Sequence, residues 1–134
     1  MSILVTDKGF AAVPAADFVT LAEIAAHKGA VEIAHTEAPE ALLPYLADLT
    51  LIRVTFPTFS DGRGFTIGHR LRALGFTGTL RAAGPIISDQ YPMARRTGFD
   101  EVEIPDDLAA RQPEPQWLAH ANWRDHDYQS RLRA

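Results

Sequence analysis

The chain contains no cysteine. Disulfides, thiolate nucleophiles, cysteine-type zinc sites and cysteine-held iron–sulfur clusters are therefore excluded as features of its own residues. Lysine is nearly as scarce: Lys8 and Lys28 are the only two, and neither falls in the central region where a Schiff-base lysine would be needed. No apolar run approaches the length of a membrane span, and Met1-Ser2-Ile3-Leu4-Val5-Thr6-Asp7 lacks the basic start and apolar stretch of an export signal. The expectation is a cytoplasmic protein with no membrane partner. The five histidines, His27, His35, His69, His120 and His126, show no metal-ligand spacing, so no metal site is expected. Neither the dinucleotide nor the Walker glycine pattern occurs, which leaves the cofactor unknown.

What is present is an ordinary globular composition. Of 134 residues, 46% are hydrophobic and 22% charged, enough for one domain with one core. The net charge of −4 argues against nucleic acid as a partner, but it is unevenly distributed. Residues 51–99 carry seven arginines against Asp61 and Asp89, whereas residues 1–50 and 100–134 are both acidic. The middle of the chain is thus the part suited to anions. Arginine supplies eleven of the thirteen basic residues, and its fork serves both oxyanion binding and structural ion pairing.

From residue 30 onward, short β-type runs alternate with helical ones. The strands are expected at 30–35, 49–56, 79–84 and 101–104, and the helices at 39–47, from about 63 to Gly75, and at 89–97. Leu42, Leu43 and Leu46 share the inner face of the first helix, and Ile67, Leu71 and Leu74 that of the second. Residues 49–56 are almost continuously apolar or β-branched, the pattern of a strand covered on both faces. Leu74-Gly75-Phe76 and Thr97-Gly98-Phe99 rhyme, each a glycine stop followed by an aromatic residue that opens the next strand. Strand, helix, strand at roughly 20- to 28-residue spacing implies parallel strands with right-handed crossovers. The fold class is α/β, with about four parallel strands in an open three-layer sheet or a half-barrel-like sheet that forms a homodimer. Around this core of residues 30–104, an N-terminal hairpin (3–5 and 11–13) and a helix over Asp17–His27 come first. A partly helical stretch broken by Pro113 and Pro115 follows, and then a tail from Trp123 that packs across the domain or a partner, or frays.

In parallel sheets ligands collect at the carboxyl ends of strands. Two loops lie there: Phe59-Ser60-Asp61-Gly62-Arg63-Gly64 and Gly84-Pro85-Ile86-Ile87-Ser88-Asp89-Gln90. If their strands are neighbours, Asp61, Arg63, Asp89 and Gln90 share one site, with Arg63 gripping an anion and Asp61 or Asp89 orienting it or moving a proton. The competing reading is structural: Ser60, Asp61, Ser88 and Asp89 are all residue types that cap helices, and Gly62 and Gly64 are accounted for by the turn. Arg53 and Arg81, inside strands, call for carboxylate or carbonyl partners. Arg70 and Arg72 read as solvated, and Arg95 and Arg96 as complements to a helix C-terminus. His69 lies roughly 12 Å from Asp61 by helix rise, too far for an effective base.

The set Phe56-Pro57-x-Phe59-x-Asp61-Gly62-Arg63-Gly64-Phe65, Leu71-Arg72, Gly78-x-Leu80-Arg81-Ala82-x-Gly84, Asp89-Gln90 and Gly98-Phe99-Asp100 resembles a bacterial domain-of-unknown-function family, number 934. Tyr128-Gln129 resembles its ending. Members are labelled as oxidoreductases involved in sulfite reduction, because their genes lie beside those of assimilatory sulfite reductase. The resemblance implies Asp61, Gly62, Arg63, Arg81, Asp89 and Gln90 as motif positions, and sulfite reductase or another sulfur-assimilation enzyme as a partner. Thr79, Pro85 and Thr97 depart from the glutamate, aspartate and frequent cysteine of the family pattern. Three readings follow: an accessory protein of sulfur assimilation that binds a small anion or a reductase, a small enzyme acting on an anionic metabolite, and an oxidoreductase whose flavin or nicotinamide binds without a fingerprint.

Overall fold

A computed structural model describes residues 2–123. Its strands are β1 (Ser2–Thr6), β2 (Gly9–Ala12), β3 (Phe18–Val19), β4 (Ala30–Ala34), β5 (Leu51–Thr55), β6 (Thr79–Ala83) and β7 (Glu101–Pro105). They form one sheet in the order β2-β1-β7-β6-β5-β4-β3. The four strands expected from periodicity are β4 to β7, parallel neighbours, and β3 adds a short fifth at the edge. The hairpin β1–β2 joins the same sheet antiparallel to β7. Parallel strands thus follow one another in chain order, as in a half-barrel, and the sheet has no point where the order reverses.

Register explains where the core lies. Val5, Val102, Ala82, Val54 and Ile33 form one row across five strands, each at most 1% exposed. Successive side chains alternate faces, so the next row, Glu32, Arg53, Arg81 and Glu101, lies on the opposite face. The helices α1 (Arg63–Ala73), α2 (Tyr91–Arg96), α3 (Asp106–Arg111) and α4 (Glu114–Leu118) bury Ile67, Leu71, Ala94, Leu108 and Trp117 in the same cluster as the apolar row. They therefore cover that face, and the expected open three-layer sheet is not the arrangement found. β5 was expected to be apolar on both sides, but its burial alternates, because Arg53 looks onto the charged row.

That second row is an ion-pair ladder. Arg53 bridges Glu32 (2.7 Å) and Glu103 (3.2 Å), and Arg81 bridges Glu101 (3.0 Å) and Glu103 (3.2 Å). The Phe18 ring lies over both guanidinium groups, at 4.1 and 5.9 Å, and Arg81 is only 2% exposed. A buried guanidinium is tolerable when two carboxylates satisfy it, which is the arrangement here.

Both glycine stops end their helices as the repeated sequence predicts. Gly75 and Gly98 take φ of 105° and 109°, and Phe76 and Phe99 donate back to Leu71 O and Ala94 O, closing Schellman turns. Two expected helices differ. Over 17–27 the chain forms β3 and then a 3₁₀ turn at Leu21–Ala26, and 39–47 is a 3₁₀ segment, Pro39–Tyr45. Pro44 lacks the N–H that an α-helix would need at that position, so the longer helix cannot close its ladder. Pro115 starts α4 rather than breaking a helix. The expectations for the tail beyond Trp123, including Tyr128-Gln129, fall outside the described residues.

Candidate functional site

The first loop is built around one carboxylate. β5 ends at Thr55, Phe56 N–H reaches Ala83 O (2.7 Å), and the chain leaves the sheet to enter α1 at Gly62. Asp61, one residue before that cap, accepts the Arg63 backbone N–H on Oδ1 (3.2 Å), a turn that short carboxylates favour. The same carboxylate takes the Arg63 side chain as a fork: Nε to Oδ1 at 3.0 Å and Nη2 to Oδ2 at 2.7 Å. These bonds, the side-chain ones foremost, hold the Asp61 carboxyl down at about 2. The guanidinium is fixed in direction while its side chain remains 63% exposed.

A third residue completes the cluster. His35 follows the last residue of β4, where Glu37 Oε1 accepts the Ala34 N–H (2.7 Å) and folds the chain back. Its Nε2 lies 2.9 Å from Arg63 Nη2 and 3.2 Å from Asp61 Oδ2, with the side chain only 15% exposed. Beside this trio is an open cleft of about 400 Å³ lined by His35, Thr36, Pro39, Arg63, Ile67 and Arg70. Arg70 is ion-paired with Glu40. The cleft therefore brings the Arg63 and Arg70 guanidinium groups, the His35 imidazole and the Glu37 carboxylate together, in a volume that admits a small anionic molecule.

The remaining expected residues fall elsewhere. β5 and β6 are neighbours, and the two loops are tied together by Gln90 Nε2 donating to Phe59 O (2.5 Å). Gln90 Oε1 also accepts Ile87 N–H (3.2 Å), so its amide is occupied in holding both loops. Asp89 points outward, 81% exposed, and meets His120 Nε2 at 3.2 Å. Arg81 lies in the ladder on the opposite sheet face. Of the expected set, only Asp61 and Arg63 converge with the cleft.

Neither glycine of the loop plays the part assigned to it by the turn argument. Gly62 has φ −85° and ψ 4°, which any residue can adopt. Gly64 is buried inside α1, where a Cβ would collide with the Phe56 ring, and Gly68 one turn later meets Phe99 in the same way. Their role is close helix-to-sheet approach over the Phe56, Phe65 and Phe99 aromatic group.

Arg72 and Arg95 are also more engaged than expected. Arg72 donates to Gly98 O, Phe76 O, Gly78 O and Asp100, pinning the end of α1 to the starts of two strands. Arg95 reaches Phe99 O (2.7 Å) and Asp7 (3.2 Å). Asp7 also accepts from Tyr91 Oη (2.5 Å) and Trp123 Nε1 (3.3 Å), which locks the β1–β2 turn to α2. Partial burial pushes the Asp7 carboxyl up, but the bonds from Tyr91, Trp123 and Arg95 together bring it below the ordinary range. Burial first, and the Asp7 bond second, push the Tyr91 hydroxyl far upward.

His35 is the residue that sequence reasoning missed. It was set aside for lacking a metal-ligand partner at helical spacing, yet it follows β4 at the same sheet edge as Asp61. Applying the strand-end rule to all four parallel strands, not two, would have included it. Among the described residues no three histidine, aspartate or glutamate side chains group as metal ligands.

The fold and cleft define a small mixed α/β protein with an arginine- and histidine-lined pocket at the carboxyl edge of its sheet. The family model of a bacterial protein of unknown function, DUF934, matches residues 30–134, and the chain belongs to that family. Neither the curated proteins nor the solved structures contain a match to the chain.

Proposed function

We infer that this chain is a small-anion-binding accessory protein, with the cleft of His35, Arg63 and Arg70 as its site. The observation that carries the reading is the exposed Arg63 guanidinium, held by Asp61 at the wall of a cleft of about 400 Å³. A catalytic reading is less well supported. His35 uses a single nitrogen for both of its contacts, and Asp89, the other proposed proton carrier, pairs with His120 on the surface. Assignment to assimilatory sulfur metabolism rests on the label carried by the resembled family and makes sulfite or sulfate the first anions to test.

A reductase-docking role is favoured by a second feature. Exposed Met93 lines an apolar groove of about 450 Å³ between α1 and α2, together with Phe65, Thr66, His69 and Thr97. Thermal-shift measurements with sulfite, sulfate and phosphate, repeated on Arg63→Ala, test the anion reading. Stabilisation of the native protein that disappears in the variant supports it. Equal stabilisation of both proteins refutes the site. Co-purification with sulfite reductase that is lost on Met93→Ser supports the docking role.

A further inference from the structure

Resting on the anion-binding reading, we propose that the cleft takes up its oxyanion together with a proton, with His35 as the proton carrier that releases Arg63 from Asp61. His35 Nε2 faces two groups of opposite demand: Arg63 Nη2, which can only donate, at 2.9 Å, and Asp61 Oδ2, which can only accept, at 3.2 Å. One nitrogen cannot satisfy both. In the neutral ring with hydrogen on Nδ1, Nε2 accepts from Arg63, and Nη2 bridges imidazole and carboxylate. When Nε2 is protonated it donates to Asp61 instead, and the Arg63 N–H then confronts another N–H.

That conflict is relieved when the guanidinium turns from Asp61 toward the cleft that Arg63 lines. The balance is simple: one proton arrives on the imidazole, no other bond is made or broken, and one unit of positive charge is added to the pocket. Every charged neighbour bears on the outcome. Asp61 and Arg63 come from the loop and the first turn of α1, Glu37 from the turn after β4, Arg70 from the next turns of α1, and Glu40 from the 3₁₀ segment. Glu37 is occupied with the Ala34 N–H, and Glu40 and Arg70 neutralise each other. The triad of His35, Asp61 and Arg63 is therefore the group whose partners change with pH.

Sulfate is the suitable probe, because it stays fully ionised through the range in which histidine titrates, whereas phosphate and sulfite change their own charge there. Calorimetric titration of the protein with sulfate should show affinity rising on the order of tenfold between about pH 8 and pH 5.5. His35→Gln should bind with an affinity that is flat across the same range. Sulfate binding that is equally tight at both pH values, or pH dependence that persists in His35→Gln, overturns proton coupling while leaving the anion site intact. Absence of sulfate, sulfite and phosphate binding at every pH overturns the anion reading and the coupling with it. The nitrogen spectrum of labelled, ligand-free protein gives an independent check on the switch: in the neutral ring Nε2 should be the bare nitrogen, and a proton found there instead overturns it.

Discussion

Arg63 and Asp61 hold each other through a backbone bond and a side-chain fork, yet the pair lies at the surface, so its value to stability is small. Arg63→Ala should leave the melting temperature within about 2 °C of the native protein while abolishing the anion effect. A calorimetric melt together with a sulfate titration measures both. Gly64 behaves in the opposite way. A methyl group there must displace the Phe56 ring, which is itself wedged between Phe65 and Phe99. The gain of about 1 kcal/mol from alanine's helix propensity does not offset an overpacking cost of about 1–3 kcal/mol in a rigid aromatic group. Gly64→Ala is expected to lower the melting temperature by several degrees without changing sulfate affinity in the folded protein. The sequence displayed both glycines but not their use, because a turn and a close approach leave the same letter.

At the scale of elements, the parallel strands were legible because β-branched runs, helical spacing and glycine stops all agree along residues 49–104. The N-terminal 3₁₀ turn was not. Phe18, Leu21 and Ile24 have helical spacing, but Phe18 is used in β3 as the cover over Arg53 and Arg81, a tertiary demand invisible in a local window. The site was half legible for the same reason. Asp61 and Arg63 share a loop, whereas His35 joins them only through the pairing of β4 with β5. The ladder on the reverse face provides an element-scale test. Arg81→Ala takes the cation from Glu101 and leaves Glu103 with Arg53 alone, in a partly buried setting, a loss of about 1–3 kcal/mol. Denaturant titration should show the midpoint shift, while Arg96→Ala, on an exposed face, should show almost none.

For the whole molecule, folding gathers acidic flanks around a basic middle and thereby sets the pH range of stability. Asp7 and Asp61 both have carboxyls lowered in the folded protein. Their contribution is fully present above the unfolded value of about 3.9 and is lost as pH falls through the folded values. Acid unfolding should therefore steepen below about pH 4, and Asp7→Asn and Asp61→Asn should each flatten that limb. At the alkaline end the sign is reversed. Tyr91 keeps its proton in the folded state to higher pH than an unfolded tyrosine, so stability should decline as pH rises beyond about 10.

The anion site is the claim on which the functional account stands, and amide chemical-shift mapping during a sulfate or sulfite titration tests it most directly. The account predicts saturable shifts centred on residues 35–39, Arg63, Thr66, Ile67 and Arg70, which line the cleft, and their loss in Arg63→Ala. Shifts centred on another part of the surface, or none at millimolar anion, would contradict it.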